Sequence, residues 1–168
     1  AAREDVNVSV MGGTRVEIKG VPRLPRIPLL TYNEAMRQWN LLRLRAALER
    51  CGITAKNFSA TIEDVTKHVR KTLYLPIQSA LGQGMMACGV KLIGFKGFLR
   101  WQTQTDTYFH QEISDRVRVI ACLTTLPNIL HSDSPGEGLS SAEWQMVRKA
   151  LGARDEDAVV LVWGPEID

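Results

Sequence analysis

Val6, Val8 and Val10 alternate with Asp5, Asn7 and Ser9. Further on, Val16 and Ile18 alternate with Arg15, Glu17 and Lys19. Period-two alternation marks a half-buried β-strand, and Gly12-Gly13 offers the positive φ angles of a tight turn. The pattern predicts a β-hairpin over 5–19 with six polar side chains on one face. Pro22, Pro25 and Pro28 exclude a regular element over 20–30 and predict an extended connector. Helical spacing then sets in. Thr31 and Glu34 have capping-box spacing and Cys51-Gly52 supplies a stop, which predicts a helix over 32–51. It carries two apolar stripes, one of Ala35, Trp39, Leu42 and Ala46, the other of Leu41, Leu44 and Leu48. A helix with two apolar faces is expected between two partners.

From residue 54 the periods alternate. A strand is expected near 58–66, then a short helix over 76–83 opened by Pro76 and closed by Gly82 and Gly84. MACGVKLIG predicts a buried strand near 86–93. An amphipathic helix follows over 108–122, with Phe109, Ile113, Val117 and Ile120 inward. NILHS is a short strand. Ser140 and Glu143 form a second capping box for a helix from 141 to about 151, ended by Gly152, and AVVLVW at 158–163 is a buried strand. The fold class expected is α+β (mixed α/β): a hairpin and long helix over 1–53, then a mixed-sheet unit over 54–168.

Composition adds little: 168 residues, 45% hydrophobic and 23% charged, are ordinary for a globular chain. No apolar run nears the roughly 18 residues of a spanning helix and no signal-peptide pattern opens the chain, so a soluble cytoplasmic protein is expected. The opening AAREDVNVSV lacks an initiator Met and enters a strand almost at once, the expectation for an excised or processed piece. Cys51, Cys88 and Cys122 form no C-x-x-C pair, and His68, His110 and His131 share no metal-ligand spacing. Charge is more informative. Residues 1–100 carry 16 Lys and Arg against 7 Asp and Glu, while residues 101–168 carry 5 against 11. Such a split suits a half that faces nucleic acid, and equally a solvated mixed surface.

Several groups of residues could carry chemistry. The hairpin face holds Asp5, Asn7, Glu17 and Lys19, whose oxygens suit a hard cation and whose ammonium suits a phosphate. Cross-strand charge pairing on a solvated face would need the same residues. Gly94-Phe95-Lys96-Gly97 reads as a turn exposing Phe95 and Lys96 for base stacking and phosphate contact, or as a turn with Phe95 in the core. Lys67, His68, Arg70 and Lys71 form a basic cluster fit for phosphates, and Arg100 extends the set. His131-Ser132-Asp133 is either a functional loop or a capped strand end. No phosphate-binding G-x-x-x-x-G-K-[ST] loop and no G-x-S-x-G elbow occurs.

EDVNVSVMGGTRVEIKGV resembles a stretch of the B and E subunits of the glutamyl-tRNA(Gln) amidotransferases. VEIKGV, the proline-rich connector and TYNEAMRQWNLL look more like the E subunit of the archaeal type. VKLIGFKG and HSDSPGEGLSSAEWQMVRKALGARDEDAVVLVW are similar, in the same order, to the insertion domain that this subunit shares with bacterial-type aspartyl-tRNA synthetases. The resemblance implies that 1–53 is part of the cradle-shaped catalytic domain and 54–168 is the insertion domain, which helps hold tRNA(Gln). It implies a parent ligase that converts Glu-tRNA(Gln) to Gln-tRNA(Gln), as a heterodimer or heterotetramer. An amidase/asparaginase-like partner subunit would release ammonia. The E subunit would use ATP and Mg²⁺ to phosphorylate the tRNA-bound glutamate before amidation.

By the same resemblance, Asp5 is a catalytic and metal-binding group, Glu17 and Lys19 are catalytic, and Asn7 is cofactor-binding. Lys67, Arg70, Lys71, Phe95, Lys96 and Arg100 are the expected tRNA contacts. Two stretches depart from the family. After GFKG the Arg-Gly-Glu-like pattern is replaced by RWQTQTDTYFHQEI, with Glu112 in the corresponding place. After the H-x-D, Ser134-Pro135 replaces Glu-Leu-Pro. With most of the cradle absent, a half site is expected to bind ATP and Mg²⁺ weakly and not to turn over alone. The alternative is a non-catalytic tRNA-binding or protein-interaction module.

Overall fold

The computed structural model describes residues 3–123, 125–134, 136 and 138–166. Its main elements are β1 (Glu4–Val8), β2 (Val16–Val21), α1 (Ile27–Arg50), β3 (Ala60–Asp64), α2 (Thr66–Val69), α3 (Leu75–Gly82) and β4 (Met86–Leu92). They continue as β5 (Gln102–Gln104), β6 (Thr107–Tyr108), α4 (Phe109–Ile120), β7 (Ile129–His131), α5 (Ser141–Ala150) and β8 (Ala158–Gly164). The class is α+β. Every described strand pair is antiparallel, so the expected mixed sheet is corrected to an antiparallel one.

The chain divides into two compact units, residues 1–54 with 101–109, and residues 55–100 with 110–168. A single cut at 53/54 misses the return of 101–109 to the first unit. The charge split changes meaning with it. The first unit has nine Lys and Arg against six Asp and Glu, the second twelve against twelve. The basic 55–100 stretch and the acidic C-terminal stretch fold into one unit, where their charges balance.

In the first unit β1 and β2 pair with Val6 opposite Ile18 and Asn7 opposite Glu17. The connection is a loop over 9–15 rather than a two-residue turn. Only Gly12 of the glycine pair takes positive φ, at 79°, and the Gly13 N–H donates to the Val10 carbonyl at 2.9 Å. α1 begins five residues earlier than the capping-box reading. Pro28 lies in its first turn, where the missing N–H costs nothing, and a 3-10 turn over Leu24–Arg26 leads into it. The expected extended connector is therefore shorter. Of the two expected stripes only Leu44 is buried, beside Ala47 and Gln38 from outside them, whereas Trp39 remains 52% exposed. The C-terminal half of α1 is covered by the small β5–β6 hairpin. The Trp101 indole N–H donates to the Asn40 carbonyl at 3.0 Å, the Asn40 amide donates to the Thr103 carbonyl at 3.1 Å, and Thr103 is fully buried.

In the second unit the sheet order is β3-β4-β8-β7. Ala87 of β4 and the alternating Val159, Leu161 and Trp163 of β8 share one face. Val69, Ile77, Ala80, Trp144 and Val147 pack there from α2, α3 and α5, and Val65 and Leu151 join them. Gly89 sits in this face because a Cβ there would meet Leu151 at 2.9 Å and Val65 at 3.0 Å. α4 is amphipathic, with Ile113 and Val117 half-buried, but Ile120 is 78% exposed, against its expected inward place.

Candidate functional site

Period-two alternation puts Asp5, Asn7, Glu17 and Lys19 together on the exposed face of the β1–β2 hairpin. The Lys19 ammonium lies 3.1 Å from Glu17 and 3.6 Å from Asp5. Asp5 is fixed from its other side, where the Gly20 N–H donates to its Oδ1 at 2.8 Å. Gly20 takes φ of 67°, and the strand register shifts between Glu4 and Val6, so the backbone turns this amide toward the carboxylate. The Gly20 bond, helped by Lys19, holds the Asp5 carboxyl below the usual carboxylate range, and the Glu17 and Asp5 carboxylates push the Lys19 ammonium above its ordinary value. Asp5 and Lys19 therefore stay charged at neutral pH. The face combines hard oxygen donors with one cation, as a metal–phosphate surface or a solvated charge pair would.

The far end of the hairpin is held by a residue the motif reading passed over. Gln38 is 6% exposed. Its Oε1 accepts from the Val10 N–H at 3.2 Å, and its amide nitrogen donates to the Val8 carbonyl at 3.2 Å and to Glu34 Oε1 at 2.9 Å. Arg37 lies 3.3 Å from the same Glu34 oxygen. Glu34, read as a capping residue, instead orients a buried amide. The only sequence signal was a polar residue between apolar positions of the helix.

The predicted basic residues all lie in the second unit. Lys67, Arg70, Lys71, Lys96 and Arg100 are exposed. Phe95 is 7% exposed and packs edge-on against Phe58 and Phe98, with ring centroids 5.5 and 6.0 Å away. It cannot serve as a stacking platform in this conformation. The turn is drawn inward by Asp157, a buried carboxylate that accepts from the Gly94 N–H at 2.9 Å and the Arg154 N–H at 2.8 Å. Burial pushes this carboxyl up, but the two backbone donors together with the Arg154 and Lys91 cations leave it below its usual range.

His131-Ser132-Asp133 is a capped strand end. Ser132 Oγ accepts from the Val159 N–H at 2.9 Å, and Asp133 accepts from the Leu99 N–H at 3.1 Å. His131 is 5% exposed, its ring centroid 4.4 Å from that of His110, and its Nδ1 has no partner among the described residues. Burial, then the neighbouring His110, lowers its pKa to about 4. A cleft of about 830 Å³ lies beside α5, lined by Lys71, Ser132, Ser140, Glu143, Trp144 and Arg148 among others. Its helix N-terminus is already satisfied from within. Ser140 donates to Glu143 through its N–H at 2.8 Å and its hydroxyl at 2.6 Å, and Ser140 Oγ caps the Glu143 N–H at 3.3 Å. That carboxylate occupies the place an anion would take.

No family model matches the chain. The curated proteins it is similar to include three that are named as the E subunit of glutamyl-tRNA(Gln) amidotransferase. The Sulfurisphaera tokodaii protein is 37% identical over 168 residues, covering 98% of this chain and 26% of the relative. The Saccharolobus solfataricus protein is 38% identical over 168 residues, covering 96% and 26%. The Pyrococcus furiosus protein is 37% identical over 165 residues, covering 98% and 26%. The chain thus spans about a quarter of the length of these relatives, and the match takes in both units. Among the described residues, no helix is long and apolar enough to cross a membrane.

Proposed function

We propose that this chain, a homologue of a segment of the glutamyl-tRNA(Gln) amidotransferase E subunits, supplies two parts of such an enzyme. They are one wall of its ATP- and Mg²⁺-dependent centre and a portion of its tRNA-holding surface. The observation that carries the reading is a similarity of 37% identity spanning 98% of the chain, hairpin and second unit together. The reaction served is conversion of Glu-tRNA(Gln) to Gln-tRNA(Gln), with an amidase/asparaginase-like protein as partner.

Within that reading the hairpin face is the catalytic contribution. Asp5 and Glu17 offer carboxylate oxygens of the kind Mg²⁺ takes, Asn7 offers an amide oxygen, and Lys19 offers a cation for phosphate. Two carboxylates fall short of the six oxygens Mg²⁺ requires, so phosphates, water and other parts of the enzyme complete the set. ATP would supply the phosphoryl group that activates the glutamate carboxyl, and Mg²⁺ would neutralise the phosphate charge. The chain's own part is to hold Asp5 ionised through Gly20 and to keep Lys19 protonated between two carboxylates. Lys67, Arg70, Lys71, Lys96 and Arg100 are the exposed cations available to tRNA phosphates in the second unit.

The test is a replacement experiment. The matching segment of the Pyrococcus furiosus protein is exchanged for this chain, and Glu-tRNA(Gln) conversion is assayed with the partner protein present. Retained conversion that is lost on Asp5→Ala is the expected result. A folded, assembled but inactive hybrid would contradict the reading. A second reading, a protein-interaction role, is favoured by the exposed Leu29, Tyr32 and Trp39 on α1. A clean monomer in sedimentation argues against self-association through that face.

A further inference from the structure

We propose that Gln38 is a positioning residue for the hairpin face, setting its geometry without touching a ligand. The proposal rests on the assignment of that face to metal–phosphate chemistry. The chain of contacts runs from α1 outward. Arg37 stands against Glu34, and the Glu34 carboxylate only accepts, so it fixes which end of the Gln38 amide is the NH₂. With the NH₂ pointed at Glu34 and the Val8 carbonyl, Oε1 is left to the Val10 N–H.

Val8 ends β1, and Val10 lies beyond it in the loop. Val8 still pairs with Val16 in the ladder, and Gln38 bonds the backbone of both Val8 and Val10, so it ties the end of β1 and the loop beyond it to α1. Asn7, the residue before Val8, is directly opposite Glu17. The hairpin face thus has two pins. Gly20 N–H to Asp5 holds one end, and Gln38 holds the end that carries Asn7 and Glu17. Gly13 is part of the second pin. A Cβ there would come within 2.5 Å of Gln38 Oε1 and 3.1 Å of Val10, so glycine is what lets the loop close over the amide.

The test uses the whole chain labelled for NMR, with Gln38→Leu and Gly13→Ala as separate variants. The second keeps the amide and displaces it, so it decides the matter where Gln38→Leu does not fold. Two readouts are taken. The first is amide exchange at Val10 together with the cross-strand contact between Asn7 and Glu17. Both variants are expected to speed Val10 exchange at least tenfold and weaken that contact, with the Gly20 amide and the second unit unchanged. The second is broadening of the Asn7 and Glu17 signals by Mn²⁺ with ATP. Broadening in the parent chain that disappears in the variants is the expected result, and the unchanged Gly20 amide and second unit separate it from a general loss of stability. Unchanged exchange, or equal broadening in parent and variants, overturns the proposal. Absence of broadening in the parent counts against the metal–phosphate reading of the face, and the exchange data then decide the role of Gln38.

Discussion

The two units are held together by different means. Among the described residues, the second buries eighteen hydrophobic side chains around a four-stranded sheet, and the first buries four. In the first unit polar groups replace much of the missing apolar core. Gln38 holds the hairpin loop, Asn40 and Trp101 hold the returning 101–109 stretch, and Gly20 holds Asp5. The contrast separates stability from geometry. Apolar burial is tolerant of direction, so the second unit can lose a polar contact and keep its shape. A polar pin is directional, so the first unit can lose one and keep its chain path while its exposed face changes.

The comparison is tested hardest in the second unit's core. Leu161 is fully buried in β8, and Leu161→Ala is expected to cost about 3 kcal/mol from lost transfer energy and a residual cavity. Denaturant unfolding measures it. A loss under about 1 kcal/mol would mean that the core is not the unit's main support.

Acid should act next most strongly, and again on the second unit. His131 has a folded-state pKa of about 4, well below its ordinary 6.5. The fold binds the neutral ring, so this contribution is intact above pH 6.5 and is lost progressively as pH falls toward 4. The full loss is on the order of 3 kcal/mol. Urea midpoints followed across that range should fall, and His131→Leu should flatten the slope. His110 and Arg100 add to the depression and Asp133 opposes it, so Asp133→Asn should steepen the slope.

Smaller effects are expected from the polar pins themselves. Trp101→Phe keeps a ring against α1 but removes the N–H that reaches Asn40, a loss of about 1 kcal/mol. It should appear as faster exchange in β5, β6 and α1, with the second unit's sheet unaffected. Ser140→Ala removes one half of a complete capping box and should cost a similar amount, about 1 kcal/mol. Equal effects of the two changes on both units would erase the distinction.

What could be read in the chain follows how local the cause is. The Ser140–Glu143 box is closed by residues three apart, and β4 and β8 declare themselves by continuous apolar runs. All three fall within a residue or two of their expected places. The hairpin's alternation is equally local. The Thr31–Glu34 spacing misled because Pro28 starts the helix earlier and Glu34 faces Gln38. Phe95 is buried by Phe58, distant in sequence, and by an Asp157 that reorients its turn, neither visible in GFKG itself. The 101–109 return depends on Asn40 meeting Thr103 across 63 positions. The charge split was real in sequence, but folding brings the basic and acidic stretches into one neutral unit. For the candidate site, the face was legible and its pins were not, because each pin joins a side chain to a backbone group 15 to 61 positions away, which no local pattern encodes.

That this chain engages tRNA as part of an amidotransferase is tested most directly by binding of Glu-tRNA(Gln) to the chain, followed through a salt series. The predicted result is binding at low salt that weakens steeply as salt rises, with Lys96→Ala and Arg100→Ala each making the dependence shallower and Phe95→Leu leaving it unchanged. Absence of binding at low salt, or binding indifferent to salt and to those cations, would contradict the claim.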